Sequence, residues 1–348
     1  MNFNESETEN RKALLEVLDG RVPWRRPVWF MRQAGRYLPE YRQTRARAGS
    51  FLDLCYDPVL ATEVTLQPLK RFDVDAAILF ADILLLPQAM GAQLSFRQNE
   101  GPVLDVVDDA AAVRRLDADG AAARLTPVYE TVAKLAAALP GHVALIGFCG
   151  APWTVASYMV EGGGSAERLK ARLAAMRAEP WLDALIDKIV AASIDYLERQ
   201  VRAGAEAVQI FDTWAGDFGD GLREKYVFAP IARIVEGLKA RGVEVPVIGF
   251  ARGVGAAQEA FARATGVRAV GCETPMPVAA MRSLSDAVVV QGNLDPLLVM
   301  AGGAAMENAV RRLLALPKAR HIFNLGHGFR PQTPVSHVER VMELVREE

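Results

Sequence analysis

Short apolar runs, rich in β-branched residues, recur along the whole chain, and each is continuous rather than alternating. We read eight: Pro27 to Met31, Asp75 to Phe80, Val143 to Phe148, Ala207 to Asp212, Val245 to Phe250, Arg268 to Glu273, Ala287 to Gly292 and His321 to Gly326. Unbroken runs of this length suit strands buried on both faces, as in a parallel sheet. Helical patterns lie between them. Trp181 to Ala203 sets Leu182, Leu185, Ile189, Leu197 and Val201 near one stripe, with Pro180 before it and Gly204 after it. Thr333-Pro334 reads as the N-cap and first turn of a last helix, with Val335, Val338, Val341, Met342 and Val345 as its stripe.

Eight strands alternating with helices predict an α/β fold, a single (β/α)8 barrel of the TIM type; the rival is a doubly wound open sheet. Gly91 to Val107, with its QNEG turn, predicts a β-hairpin inserted after the second strand. The Ala-rich stretch Asp109 to Leu139 predicts two surface helices. No composition shift or Pro/Ser-rich linker divides the 348 residues, so one domain over 1–348 is expected, with 1–10 a disordered tail.

A second regularity favours the barrel. Arg32, Gln33 and Arg36 follow the first run, and Asp82 the second. Cys149, Gly150 and Trp153 follow the third, and the fourth ends at Asp212 and Thr213. Arg252, Gly253 and Gly255 come after the fifth, Asn293 and Asp295 after the seventh, His327 and Arg330 after the eighth. In a barrel these strand ends form one face, and that face carries the active site.

Arg32 and Arg36 flank Gly35 within MRQAGRYLPEYR, and guanidinium forks hold carboxylates bidentately. Asp82, in FADIL, reads equally as a helix N-cap and as a carboxylate in a partly apolar pocket. No Lys or Arg lies within nine residues of it, so no sequence neighbour is expected to neutralise it. Tyr158, in the small-residue stretch GFCGAPWTVASYMVEGGG, either packs or bonds a ligand. Cys149 reads as a buried thiol, because no base stands near it in sequence. His327 stands between two glycines in NLGHGFRPQTP, where an imidazole titrating near neutrality can bind a carboxylate or move a proton. His142, His321 and His337 read as structural. GFARGVGAAQ has Gln258 where a dinucleotide fingerprint needs its third glycine. No close set of His, Cys and carboxylate suggests a zinc site.

A net charge of -2 argues against a nucleic-acid binder, so any anion site is a local cluster. The most apolar stretch, Ala76 to Ala92, carries Asp82 and Pro87 and is too short to span a bilayer. MNFNESETENRK lacks the apolar core of a signal peptide, and the three scattered cysteines suit a reducing cytoplasm.

The motifs MRQAGRYLPEYR, FADIL, GFCGAPWTVASYMVEG, QIFDTWAG, QGNLDP and NLGHGFRPQTP, in this order, resemble the uroporphyrinogen decarboxylase family from about Arg11 to the C-terminus. The resemblance implies a (β/α)8 barrel, a homodimer, and no metal or organic cofactor. It implies loss of CO2 from the four acetate arms of a tetrapyrrole, uroporphyrinogen III, to give coproporphyrinogen III. Arg32, Gln33, Ala34, Gly35 and Arg36 then fall at carboxylate-binding positions, and Asp82 faces the pyrrole N–H groups. Tyr158, Thr213 and His327 fall at the other substrate contacts, with Asp82, Arg32, His327 and Tyr158 as catalytic candidates. GCETP, residues 271 to 275, departs from the Gly-Leu-Asp-Trp of many members, so no role is carried over to that loop. The runner-up is a zinc-dependent corrinoid or thiol methyltransferase of the same superfamily; against it, the fifth strand end, GFAR, holds neither His nor Cys.

Overall fold

A computed structural model describes residues 10–97 and 101–348. Seven parallel strands form one sheet in the order β1 (Ala76–Ile78), β4 (Ala144–Gly150), β5 (Ala207–Asp212), β6 (Val247–Ala251), β7 (Ala269–Gly271), β8 (Val289–Gln291) and β9 (His321–Ile322). Apart from the antiparallel hairpin β2 (Leu94–Arg97) and β3 (Gly101–Leu104), strand order follows chain order. The hairpin lies where the sequence places it. Most of its QNEG turn and most of the expected N-terminal tail fall outside the described residues.

The sheet is curled. One interior cluster draws Ala76, Ala144, Ile146, Ala207, Ile248, Ala269, Val289 and Ile322 from all seven strands, together with Trp29. Residues from the two ends of a flat sheet cannot share such a cluster. Four of these are alanines near the strand starts, and the room they leave is taken by Leu14, Val17 and Leu18 of the helix Ala13–Leu18. That helix plugs the N-terminal end. The larger cluster, between sheet and outer helices, holds most other buried apolar side chains.

The first expected strand, Pro27 to Met31, forms only an isolated bridge, Val28 to Phe323. Side chains explain why. Asp75 Oδ2 takes the Val28 N–H, Gln33 Oε1 takes that of Phe30, and Asn324 Oδ1 takes that of Met31. Pro27 has no N–H to give. The segment still touches both sheet edges: Asp75 N–H donates to Val28 O at 2.7 Å and Phe323 N–H to Pro27 O at 2.8 Å.

Two helix expectations are corrected. Asp109 to Leu139 forms three helices, Ala110–Arg115, Ala118–Arg124 and Thr126–Ala138, because Asp109 and Asp117 each cap a separate start. The last helix, Val335–Arg346, has Pro334 as N-cap and no side-chain cap, since the Thr333 hydroxyl is buried without a partner. The long helix Pro180–Arg202 buries Leu182, Leu185, Ile189 and Leu197 of its expected stripe and leaves Val201 half-buried.

Candidate active site

The loop after Pro27 to Met31 is bent by Arg32, whose φ of 62° lies in the left-handed region that side chains seldom adopt. Its side chain lies across Gly328, where a β-carbon would overlap Arg32 Cδ and Cγ. Only glycine leaves that space. Phe329 N–H donates to Met31 O at 3.2 Å, and the Phe329 ring packs on Tyr37 and Phe30 with centroids 4.7 and 5.2 Å away. The first and eighth loops are therefore one unit, and Arg32 and His327 belong to it together. Gln33 takes a different part from the one expected. Its side chain is buried, accepting from Phe30 N–H and donating to Ala76 O, so it props the loop from within. Ala34 and Gly35 are half-buried, and Gly35 lies against Arg32 O.

Asp82 follows β1. It is not a helix N-cap: the short helix Leu85–Ala89 is capped at Leu84, and Asp82 Oδ1 accepts the Leu84 N–H at 2.8 Å. Its other oxygen has no hydrogen bond among the described residues. Burial raises the carboxyl above its ordinary value, while the Leu84 N–H and Arg32 act in the opposite direction. The sequence places no cation near Asp82, but the fold does. Leu84, Leu85 and Leu86 are buried beside it, as the apolar run suggests.

Tyr158 lies on the helix Pro152–Glu161, half-buried, with its ring against Trp214, 4.4 Å between centroids. Burial raises its phenol and the Asp82 charge adds to this; Arg32 and Arg168 oppose it. Thr213, just past β5, is half-buried, and its hydroxyl makes no hydrogen bond among the described residues. Beneath it, Asp212 is fully buried. Its Oδ1 accepts from Thr154 Oγ1 at 2.6 Å, Oδ2 has no partner, and burial pushes its carboxyl up to about 7.

His327 is neutral at pH 7 rather than titrating near it. Burial first, and then the charges of Arg32, Arg252 and Arg330, push it down to about 4. Its Nδ1 accepts the Gly328 N–H at 2.7 Å, which leaves the proton on Nε2. The imidazole is thus a donor, and imidazolium is disfavoured by burial and by the three arginines.

Arg32, Arg36, Arg252 and Arg330 are exposed, yet none forms an ion pair among the described residues. Enclosure lowers the proton affinity of the Arg32 guanidinium; Asp82 and Tyr158 oppose this, and Arg36 and Arg330 add to it. Such a set of arginines, none ion-paired to a carboxylate among the described residues, suits a polyanionic ligand. Arg252 and Arg330 stand at strand ends in the sequence. Their shared action on His327, and that of Arg330 on Arg32, marks them as part of the site.

The loop 271 to 275 acts as a strut. Glu273 Oε1 accepts the Gly253 N–H, and Asn293 Nδ2 donates to Glu273 O and Met276 O, both at 2.8 Å. Cys149 and Cys272 are buried with thiols pushed up to about 12, so neither offers a thiolate. His321 and His337 bond to Gly292 O and Val299 O in structural roles.

A solved methyltransferase from Methanosarcina mazei superposes with a TM-score of 0.75 over 97% of this chain and 98% of its own, at 17% identity, which is a likeness of fold alone. A protein of Rhodospirillum rubrum named uroporphyrinogen decarboxylase is 51% identical over 97% of this chain and 98% of its own length. One of the same name from a Chelativorans species is 49% identical over 97% and 98%. The family model described as uroporphyrinogen decarboxylase matches residues 9–348. The chain belongs to the uroporphyrinogen decarboxylase family.

Proposed function

We propose that the face at the strand ends carries out the family reaction, removing CO2 from the four acetate arms of uroporphyrinogen III to give coproporphyrinogen III. The observation that carries this is a set of arginines without ion pairs among the described residues, one of which, Arg32, acts on the enclosed carboxylate of Asp82. Arg32, Arg36, Arg252 and Arg330 hold substrate carboxylates. His327, neutral with its proton on Nε2, donates to another. Tyr158 and Thr213 supply hydroxyls.

A pyrrole acetate loses CO2 once the ring has taken a proton and become an electron sink, so the intermediate is cationic. The free oxygen of Asp82 accepts from the pyrrole N–H groups. Its negative charge is disfavoured by burial. It is stabilised when positive charge develops beside it. That is differential binding of the kind catalysis requires. Substrate carboxylates also raise the proton affinity of His327, which lets it follow charge changes during turnover.

Several finer features belong to the same proposal. Pro27 to Met31 acts as the eighth member that closes a (β/α)8 barrel, supported by its bonds to both sheet edges. The protein is a homodimer, works in the cytoplasm and needs no metal or organic cofactor, as the family resemblance implies. No described helix is long and apolar enough to cross a membrane. Anaerobic incubation of dialysed, chelator-treated protein with uroporphyrinogen III, followed by chromatography of the oxidised porphyrins, tests the reaction. The four-carboxylate product is expected. Full dependence on added zinc or nucleotide would overturn cofactor independence, and light scattering tests the dimer.

A further inference from the structure

The Trp214 ring is held between two groups. Tyr158 stacks on it at 35°, and the Arg168 guanidinium carbon lies 4.9 Å from its centroid. Arg168 is locked in turn. Its φ is 50°, its Nε and Nη2 donate to Asp217 at 2.7 and 2.6 Å, and its Nη1 donates to Ser165 O and Ala166 O. Asp217 Oδ2 also accepts from Trp153 Nε1 at 3.1 Å. One turn before Tyr158, Thr154 donates to Asp212 and accepts the Trp214 N–H at 3.2 Å. The helix bearing Tyr158 is therefore gripped at residues 153, 154 and 158 by the single segment 212 to 217.

We infer that Trp214 is a positioning residue for the Tyr158 hydroxyl, and that Arg168, fixed by Asp217, sets the Trp214 ring. The Arg168–Asp217 pair is mostly buried, with side chains 15% and 6% exposed. Buried pairs stabilise little against apolar replacements, and their best-attested use is to specify geometry. Here the fork fixes a plane, the plane fixes the indole, and the indole fixes the phenol ring. The Tyr158 hydroxyl makes no hydrogen bond among the described residues and lies in the fields of Asp82 and Arg32, so only its ring packing sets its place. The inference rests on Tyr158 touching substrate.

The test is steady-state decarboxylation of uroporphyrinogen III by full-length variants, with melting curves run alongside. Trp214→Ala should lower kcat by about tenfold to a hundredfold through misplacement of a substrate contact. Trp214→Phe, which keeps an aromatic face, should recover most of this. Arg168→Met and Arg168→Lys should each lower kcat by about fivefold, because lysine keeps the charge but not the fork. In a Tyr158→Phe background, which retains the ring and lacks the hydroxyl, none of these changes should lower kcat further. A Trp214 or Arg168 loss that adds in full to that of Tyr158→Phe would overturn the inference alone. Wild-type kinetics for Tyr158→Phe would overturn the placement of Tyr158 at substrate, and the inference with it.

Discussion

Both ends of the sheet carry arginines, and they are treated in opposite ways. At the N-terminal end, Arg25 and Arg346 converge on Asp75, with N–O distances of 2.6 and 2.7 Å, and both also pair with Asp73. Arg26 is buried, pairs with Glu348 and reaches His321 Nδ1 at 2.8 Å. At the C-terminal end, Arg32, Arg36, Arg252 and Arg330 find no carboxylate within ion-pair distance among the described residues. Paired arginines tie the last helix and the closing segment to β1. Unpaired ones keep a polar enclosure charged for a ligand that brings its own anions. The difference separates stability from function within one residue type.

Four substitutions or measurements break or sharpen that contrast. The largest effect is expected from Asp82→Asn. A charge pair at 4 Å and an effective dielectric near 20 is worth about 4 kcal/mol, so kcat should fall about a thousandfold with little change in melting temperature. Asp82→Glu should retain more activity than Asp82→Asn. A kcat for Asp82→Asn within a few-fold of wild type would end the electrostatic reading.

Asp75→Asn is the mirror experiment at the other end. It leaves Arg25 and Arg346 only the exposed Asp73 as a partner and weakens the bond to the Val28 N–H, so stability in chemical denaturation should fall by about 2 kcal/mol. Turnover per folded molecule should hold. Loss of kcat without loss of stability would show that the two ends are not functionally separate.

Arg252→Met and Arg330→Met should each raise KM about tenfold by removing a charge-assisted bond to a substrate carboxylate, and leave thermal stability unchanged. Their effect on KM should shrink at high salt. Unchanged KM would mark them as solvated surface charges.

The last test is a pH slope. His321, at the paired end, is pushed down to about 3, so the unfolded chain gains a proton below 6.5 that the folded one refuses. Stability is therefore lost as pH falls from 6.5 toward 3. Asp212, at the mouth, is pushed up to about 7, so the unfolded carboxyl ionises above 3.8 while the folded one keeps its proton. Stability is lost there as pH rises from about 4 to 7, by at most about 1.4 kcal/mol per pH unit. Asp212→Asn should remove that second slope. Denaturation curves between pH 4 and 7 that run parallel for variant and wild type would refute the assignment.

Much of this was legible in sequence because topology does the placing. Unbroken apolar runs with helices between them specify parallel strands, and parallel strands send every following loop to one face. Arg32, Asp82, Tyr158, Thr213 and His327 follow from that rule and from the motifs around them. The state of those groups did not follow. Whether His327 is imidazole or imidazolium depends first on its burial and then on arginines from three separate loops. Gln33 was a site candidate until the fold turned its amide inward, and Pro27 to Met31 read as a strand until side chains took its N–H groups. The pairing of Arg168 with Trp214 carried no signal, since it spans 46 positions and a left-handed turn. Sequence determined which residues reach the strand-end face, because chain direction alone sets that. Tertiary structure decided which of them are charged, neutral or already engaged, because fields and hydrogen bonds act across space and local spacing does not encode them.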